Sequence, residues 1–197
     1  MKKRSALRIV YSELDVKLWA KSPPSVAAVR PQKCPCCGQA GAVAGKPLGL
    51  VGHGKRDRLV FGPFGPDGDA EQLIIALRRY RCRGCGAIVM SAPRGILRRM
   101  LYGAIAVGFA LVLWAAEGMA GWRVRERVTG TRSDYVRLHG WRSLGRWART
   151  AQHWWSWLQI GAGNARARAL SVVTQLAARA TTATGPLVVL ACEGALT

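Results

Sequence analysis

Four cysteines in two tight pairs are the residues whose types and spacing specify a chemistry in this chain. They lie in Cys34-Pro35-Cys36-Cys37-Gly38 and Cys82-Arg83-Gly84-Cys85-Gly86, each pair a Cys-x-x-Cys step followed by glycine. Two intervening residues let both sulfurs of a pair reach one ion from a tight turn. The following glycine accepts the positive φ such a turn needs and leaves backbone amides free to point at sulfur. Two such turns at the ends of hairpins make a tetrahedral thiolate site, which suits one structural Zn2+ held by Cys34, Cys37, Cys82 and Cys85. Four protein ligands leave no open position for water or substrate, so the ion is expected to build structure rather than to catalyse. The pairs are separated by 44 residues, against ~15–20 in compact sites. Loop-closure entropy grows slowly with length, and the extra chain is expected to be hairpin.

The remaining candidates are weaker. Cys36 could compete as a ligand, but Cys34 with Cys37 reproduces the spacing of Cys82 with Cys85, so Cys36 is read as a spectator. Cys192 stands alone in an apolar tail and reads as a buried residue. His53 falls in a basic hairpin segment and is read as solvated. A redox dithiol of the thioredoxin type would need a surrounding βαβ pattern, which is missing. No Ser/His/Asp, Cys/His or carboxylate constellation is present, so no enzymatic activity is expected.

Charge points to the partner. The chain has 197 residues with 30 Lys and Arg against 10 Asp and Glu, a formal charge of +20. Such an excess favours a polyanion, either nucleic acid or an anionic membrane surface. The seven lysines end at Lys55, and the 23 arginines run on to Arg179. Arginine suits bidentate contacts to phosphate and to guanine edges. The basic start Met1-Lys2-Lys3-Arg4 is not followed by an apolar stretch, since Glu13, Asp15 and Lys17 interrupt it. No export signal is therefore read, and the expected location is cytoplasmic, where paired cysteines bind metal rather than each other.

The elements that must position these residues are predicted as follows. A helix over 5–19 is weakly patterned, and Pro23-Pro24 closes the opening segment. From Pro31 to Pro93 glycine, proline and cysteine abound, with strand-like runs at Leu48–Val51, Arg58–Phe61 and Gln72–Tyr80 and a turn-rich loop over 62–68. From Gly95 the pattern becomes helical. Ile96–Ala116 is a long apolar segment whose 17 uncharged residues from Met100 span about 25 Å, short of the ~20 residues a bilayer usually needs. It is expected to be a buried helix, with a membrane span over 97–116 as the alternative. Helices follow at Trp122–Val128, at Ser143–Trp157 with Ser143 as N-cap, and at Ala165–Ala180, with an apolar tail over 181–197. Leu144, Trp147 and Ala148 share one face of the Ser143 helix, with Arg142, Arg146 and Arg149 largely opposite. A short helix, a connection and an arginine-lined helix with an apolar back is the layout of a helix-turn-helix, although the connection over 129–140 exceeds the usual 3–4 residues. The interleaved tryptophans, from Trp122 to Trp157, are expected mostly in the core.

These motifs resemble those of bacterial insertion-element transposases and their relatives. The likeness rests on Cys-Pro-x-Cys-Gly at 34–38, the basic hairpin His53–Arg58, and Arg79-Tyr80-Arg81-Cys82-Arg83-Gly84-Cys85-Gly86. Pro93, a long helix and Leu144-Gly145-Arg146-Trp147 complete it, so that it covers roughly residues 31–150. It implies an N-terminal zinc ribbon ahead of a helix-turn-helix, zinc on Cys34, Cys37, Cys82 and Cys85, and DNA contacts by the helix around Ser143–Arg149. Such transposases carry a later nuclease domain with three carboxylates, whereas Glu193 is the single acid after Asp134, which speaks against two-metal catalysis. The expectation is therefore an α+β chain: an N-terminal segment (1–30), a small β zinc ribbon (31–94), an all-α helix-turn-helix-like domain (95–160), and a C-terminal helix and tail (161–197). It is expected to bind duplex DNA through Arg123, Arg125, Arg142, Ser143, Arg146 and Arg149, aided by Lys55, Arg56 and Arg58. RNA and a second copy of the chain stay open as further partners.

Overall fold

In the computed structural model, which describes residues 8–197, the chain is α+β: a four-stranded sheet and seven α-helices. It divides into two compact units. The first comprises residues up to Leu59 and Ile74–Arg94, and the second Val60–Leu73 and Gly95–Thr197.

The first unit is built on the sheet. Its strands are β1 (Arg8–Tyr11), β2 (Leu50–Phe61), β3 (Gln72–Cys82) and β4 (Ile88–Ala92), in the order β1-β4-β3-β2. β4 is central: it pairs in parallel with β1, Ile9 opposite Met90, and antiparallel with β3, Tyr80 opposite Val89. A short helix α1 (Val16–Lys21) starts at the N-cap Asp15, whose carboxylate accepts from the Leu18 amide at 2.8 Å. It carries Trp19, fully buried, whose Nε1 donates to the Ala76 carbonyl at 3.0 Å. The irregular stretch after Pro23 cannot pair as a strand, yet its carbonyls are satisfied by sheet side chains. Arg78 Nε donates to Pro24 O, Tyr80 Oη to Val26 O and the buried Ser91 Oγ to Val29 O, at 2.7–2.8 Å. Sheet-borne donors thus tie down a segment that has no ladder of its own.

The sequence pattern is corrected at several points here. The helix expected over 5–19 is replaced, within the described residues, by β1 and α1. The two runs at 48–51 and 58–61 are one long strand, β2, interrupted in hydrophobicity because its middle, 52–57, is exposed. β4 went unread, since its burial on nearly every residue removes the alternation that marks a half-exposed strand.

The second unit is a helical bundle around α2 (Ala104–Ala115), nine of whose residues are buried. Because α2 is apolar on every side, it can be stable only when surrounded, and α3 (Gly121–Thr129), α5 (Arg142–Thr150), α6 (Ala165–Ala177) and α7 (Leu187–Gly194) pack against it. Among the described residues no helix is long and apolar enough to cross a membrane. The apolar segment expected from Ile96 becomes helical only at Ala104. Before that the chain is held by backbone bonds to the outer end of β2, Phe61 N to Leu101 O at 2.7 Å and Gly103 N to Phe61 O at 3.0 Å.

Between α3 and α5 lies a further helix, α4 (Asp134–His139), capped by Ser133. The connection expected over 129–140 is thus a four-residue turn followed by α4. The helix expected over 143–157 begins at Arg142, with Trp141 at the N-cap position, and ends at Thr150 in a single 3-10 turn. Ser143 is therefore not its cap; its hydroxyl accepts from Arg146 instead. Trp141, Trp147 and Tyr102 form an edge-to-face cluster with centroids 4.9–5.9 Å apart. The tail holds α7, and Trp155 Nε1 donates to its end at Ala195 O, 3.1 Å.

Candidate metal centre and basic helical surface

The two Cys-x-x-Cys turns are copies of one local structure. In the first, Cys34 N donates to Gln39 O at 2.8 Å and Gly38 N to Cys34 O at 2.9 Å. In the second, Cys82 N donates to Ala87 O at 2.9 Å and Gly86 N to Cys82 O at 2.9 Å. Gly38 and Gly86 stand at φ +75° and +72°, the left-handed region each turn requires. β3 delivers Cys82 at its end, while a short hairpin with a bridge between Lys33 and Ala40 carries the first pair.

The two turns face each other. Cys34 Sγ lies 3.8 Å from Cys85 Sγ, Cys37 Sγ lies 3.6 Å from Cys82 Sγ, and all four sulfurs fall within 4.8 Å of one another. A tetrahedron with metal–sulfur bonds of ~2.3 Å has edges of about 3.8 Å, so the four thiols have the size of a metal cage. Cys34 and Cys82 are buried, Cys37 and Cys85 exposed. Cys36 is exposed and outside the cluster, and Cys192 is buried in α7. His53 is exposed on β2.

The electrostatics fit the same role. Burial opposes ionisation of Cys34, but the backbone amides of Cys36 and Cys37 overcome it and bring the thiol down to about 7. At Cys37 the Gln39 amide pulls downward, yet the crowded sulfurs of Cys85, Cys82 and Cys34 push the value up to about 12. A divalent cation held among the four sulfurs would supply the positive charge that favours thiolate ligands.

Two glycines hold the hairpins together, and sequence reading passed over both. A Cβ on Gly41 would sit 2.0 Å from Pro31 O, and one on Gly49 2.0 Å from Ala40 O. Gly49 also accepts from Arg83 N at 2.9 Å, which joins the second turn to the first hairpin. Nothing in local sequence marks such residues, because their requirement comes from chain segments far away.

The basic residues fall in both units. Lys55 and Arg56 are exposed on β2 and Arg58 is half-buried, desolvation lowering the pKa of its guanidinium. In the second unit Arg123 and Arg127 are exposed on α3, and Arg142, Arg146 and Arg149 on α5. The starts of α3 and α5 abut, since a Cβ on Gly121 would lie 3.4 Å from Trp141 N and 3.5 Å from Leu144 Cδ1. Arg125 is half-buried and donates to Thr131 O at 3.2 Å. The apolar backs of both helices, Val124 and Val128 on α3 and Leu144, Trp147 and Ala148 on α5, are buried.

α4 was missed as an element although its punctuation is present in the chain. Gly130 is a left-handed C-cap of α3, Ser133 is an N-cap followed by Asp134, and Gly140 stops the helix. Its six residues bury nothing, so no hydrophobic period announces it.

Comparison with protein-family models, with curated proteins and with solved structures finds no match to this chain.

Proposed function

We propose that the chain is a duplex-DNA-binding protein in which a structural zinc ion on Cys34, Cys37, Cys82 and Cys85 folds a ribbon-like unit and arginine-rich helices engage the DNA. The observation that supports this reading most is the outward charge of α3 to α5. Residues 121–150 carry eight arginines against Glu126 and Asp134, and the apolar faces of α3 and α5 are consumed by the bundle core. Arginines on rigid, core-anchored helices lose little freedom when they meet phosphates.

The pair α3 and α4, joined by the four residues 130–133, has the connection length of a helix-turn-helix. A four-cysteine module ahead of such helices is the order seen in the transposase-like proteins named above, and on this reading the chain supplies binding, with no chemical step of its own.

The test is a salt titration of duplex binding by purified, metal-quantified chain. Counterion release makes log K fall linearly with log salt, and six or more phosphate contacts cost about 10^3 in affinity between 50 and 200 mM. A fall of that size with one zinc per chain is the expected result. A flat salt response, or a preference for single strands over duplex, would sink the reading.

A further inference from the structure

The least buried helix of the second unit is α4. Leu138 is 79% exposed and Tyr135 65% exposed, although both are large apolar residues. His139 stacks on Tyr135 with ring centroids 4.5 Å apart. Tyr135, Leu138 and His139 stand at i, i+3 and i+4, so they form one outward stripe.

This stripe is held firmly from behind. The preceding turn is braced by Gly130 N to Glu126 O at 2.8 Å, by the Arg132–Glu126 ion pair and by Arg125 to Thr131 O. Between α3 and α4 lies a cleft of about 630 Å³ to which Val136 and Arg137 contribute. In it the Trp122 ring stands between two guanidiniums, Arg123 at 5.0 Å and Arg137 at 6.0 Å from its centroid. Trp122 thereby fixes one arginine on each helix of the pair.

We propose that α4, rather than α5, is the helix that enters the major groove, an inference that rests on the duplex-binding reading above. Tyr135, Leu138 and His139 meet base edges, and Arg123, Arg127 and Arg137 meet the flanking phosphates. The chemistry of the stripe suits this role. A leucine side chain offers apolar contact to thymine methyl groups, while the tyrosine hydroxyl and the imidazole offer hydrogen bonds to base edges. The outer positions of α5 are all arginine, Arg142, Arg146 and Arg149, a single chemistry that pairs with phosphates and guanine edges, whereas the α4 stripe offers three different side chains.

Charge decides the occupant of the stripe. With a net +6 over residues 121–150, a second copy would bring like charge against like charge, whereas a polyanion is attracted. A-form RNA has a deep, narrow major groove that admits no helix, so B-form DNA is the duplex selected.

The experiment selects binders of the full chain from a random duplex DNA pool. It then measures affinity for an enriched duplex and for its scrambled version across salt. The wild type is expected to prefer the enriched duplex by 10^3-fold or more. Y135A/L138A is expected to cut that ratio at least tenfold while keeping the salt slope, since neither side chain carries charge or core packing. R123A/R127A is expected to weaken both duplexes alike and to reduce the slope by about 2. R146A/R149A should likewise leave the ratio intact. Should R146A/R149A collapse the ratio while Y135A/L138A leaves it whole, α5 is the reader and this inference falls, with duplex binding standing. Duplex binding without any sequence enrichment also overturns it. Sedimentation that shows a wild-type dimer split by Y135A/L138A assigns the stripe to a second copy and overturns it too. Failure of the wild type to bind duplex at all removes the functional reading itself.

Discussion

At the scale of single residues the chain divides its six cysteines by geometry. Four sulfurs share one small volume, Cys36 is exposed beside them, and Cys192 is sealed in α7, where burial first and the charge of Asp67 second push its thiol up to about 12. The consequence is selective. Cys82→Ser leaves three thiolates, which hold structural zinc poorly, and bound metal is expected to fall from one equivalent per chain to a small fraction of that. Cys36→Ser is expected to keep the full equivalent. Metal released into a chromogenic chelator after denaturation measures both, and a Cys82→Ser chain that kept its metal would overturn the ligand assignment. On the proposed metal site, treatment of the wild type with a strong chelator is expected to loosen the two Cys-x-x-Cys turns and lower the stability of the first unit, because metal binding is coupled to folding.

At the scale of elements, helix packing depends on where side chains are missing. A Cβ on Gly194 would sit 1.7 Å from Leu176 O, so α7 reaches α6 only because this position is bare. Gly194→Ala is expected to destabilise by about 2–3 kcal/mol or more through forced separation of the helices. Gly161→Ala, where nothing lies within 4 Å, is expected to change stability by less than about 0.5 kcal/mol. Urea unfolding of the two variants makes the comparison, and equal midpoints would refute the close approach. The connection between α6 and α7 is held by Glu193, which accepts from the Thr181 and Thr182 hydroxyls at 3.1 and 2.8 Å and from the Thr182 amide at 3.1 Å. The Thr182 hydroxyl and amide hold its carboxyl below the usual value. A carboxyl depressed in the folded state contributes stability that is present above its unfolded value of about 4.3 and lost as pH falls through the folded one. The melting temperature of the wild type should therefore drop more between pH 6 and pH 3 than that of Glu193→Gln. Parallel pH profiles would mean the bonds contribute nothing measurable.

At the scale of the whole molecule, what could be read from the chain alone and what could not divide along a physical line. The cysteine pairs were legible because a metal site is written in residue type and short spacing, and the left-handed glycines after each pair are part of the same local code. The α+β composition, α3, α6 and the burial of the apolar face of α5 followed from glycine punctuation and helical periodicity, which are also local. Burial of α2 was expected from the shortness of the uncharged segment that contains it, and among the described residues no helix is long and apolar enough to cross a membrane. What needed the tertiary structure was everything set by distant partners. β4 is buried on nearly every residue, so it has no alternation, and β1 exists because β4 offers it an edge. β2 is one strand despite an exposed, charged middle, since its neighbour β3 supplies hydrogen bonds that hydrophobicity does not predict. Gly41, Gly49 and Gly194 matter only because remote backbone comes within 2.0 Å of where a Cβ would be. The arginines were visible from the start as charge, but whether they stand on one helix or on a braced pair depended on α4. That helix is bounded by its caps, Ser133 and Gly140, and buries no residue, so hydrophobic pattern carries no trace of it.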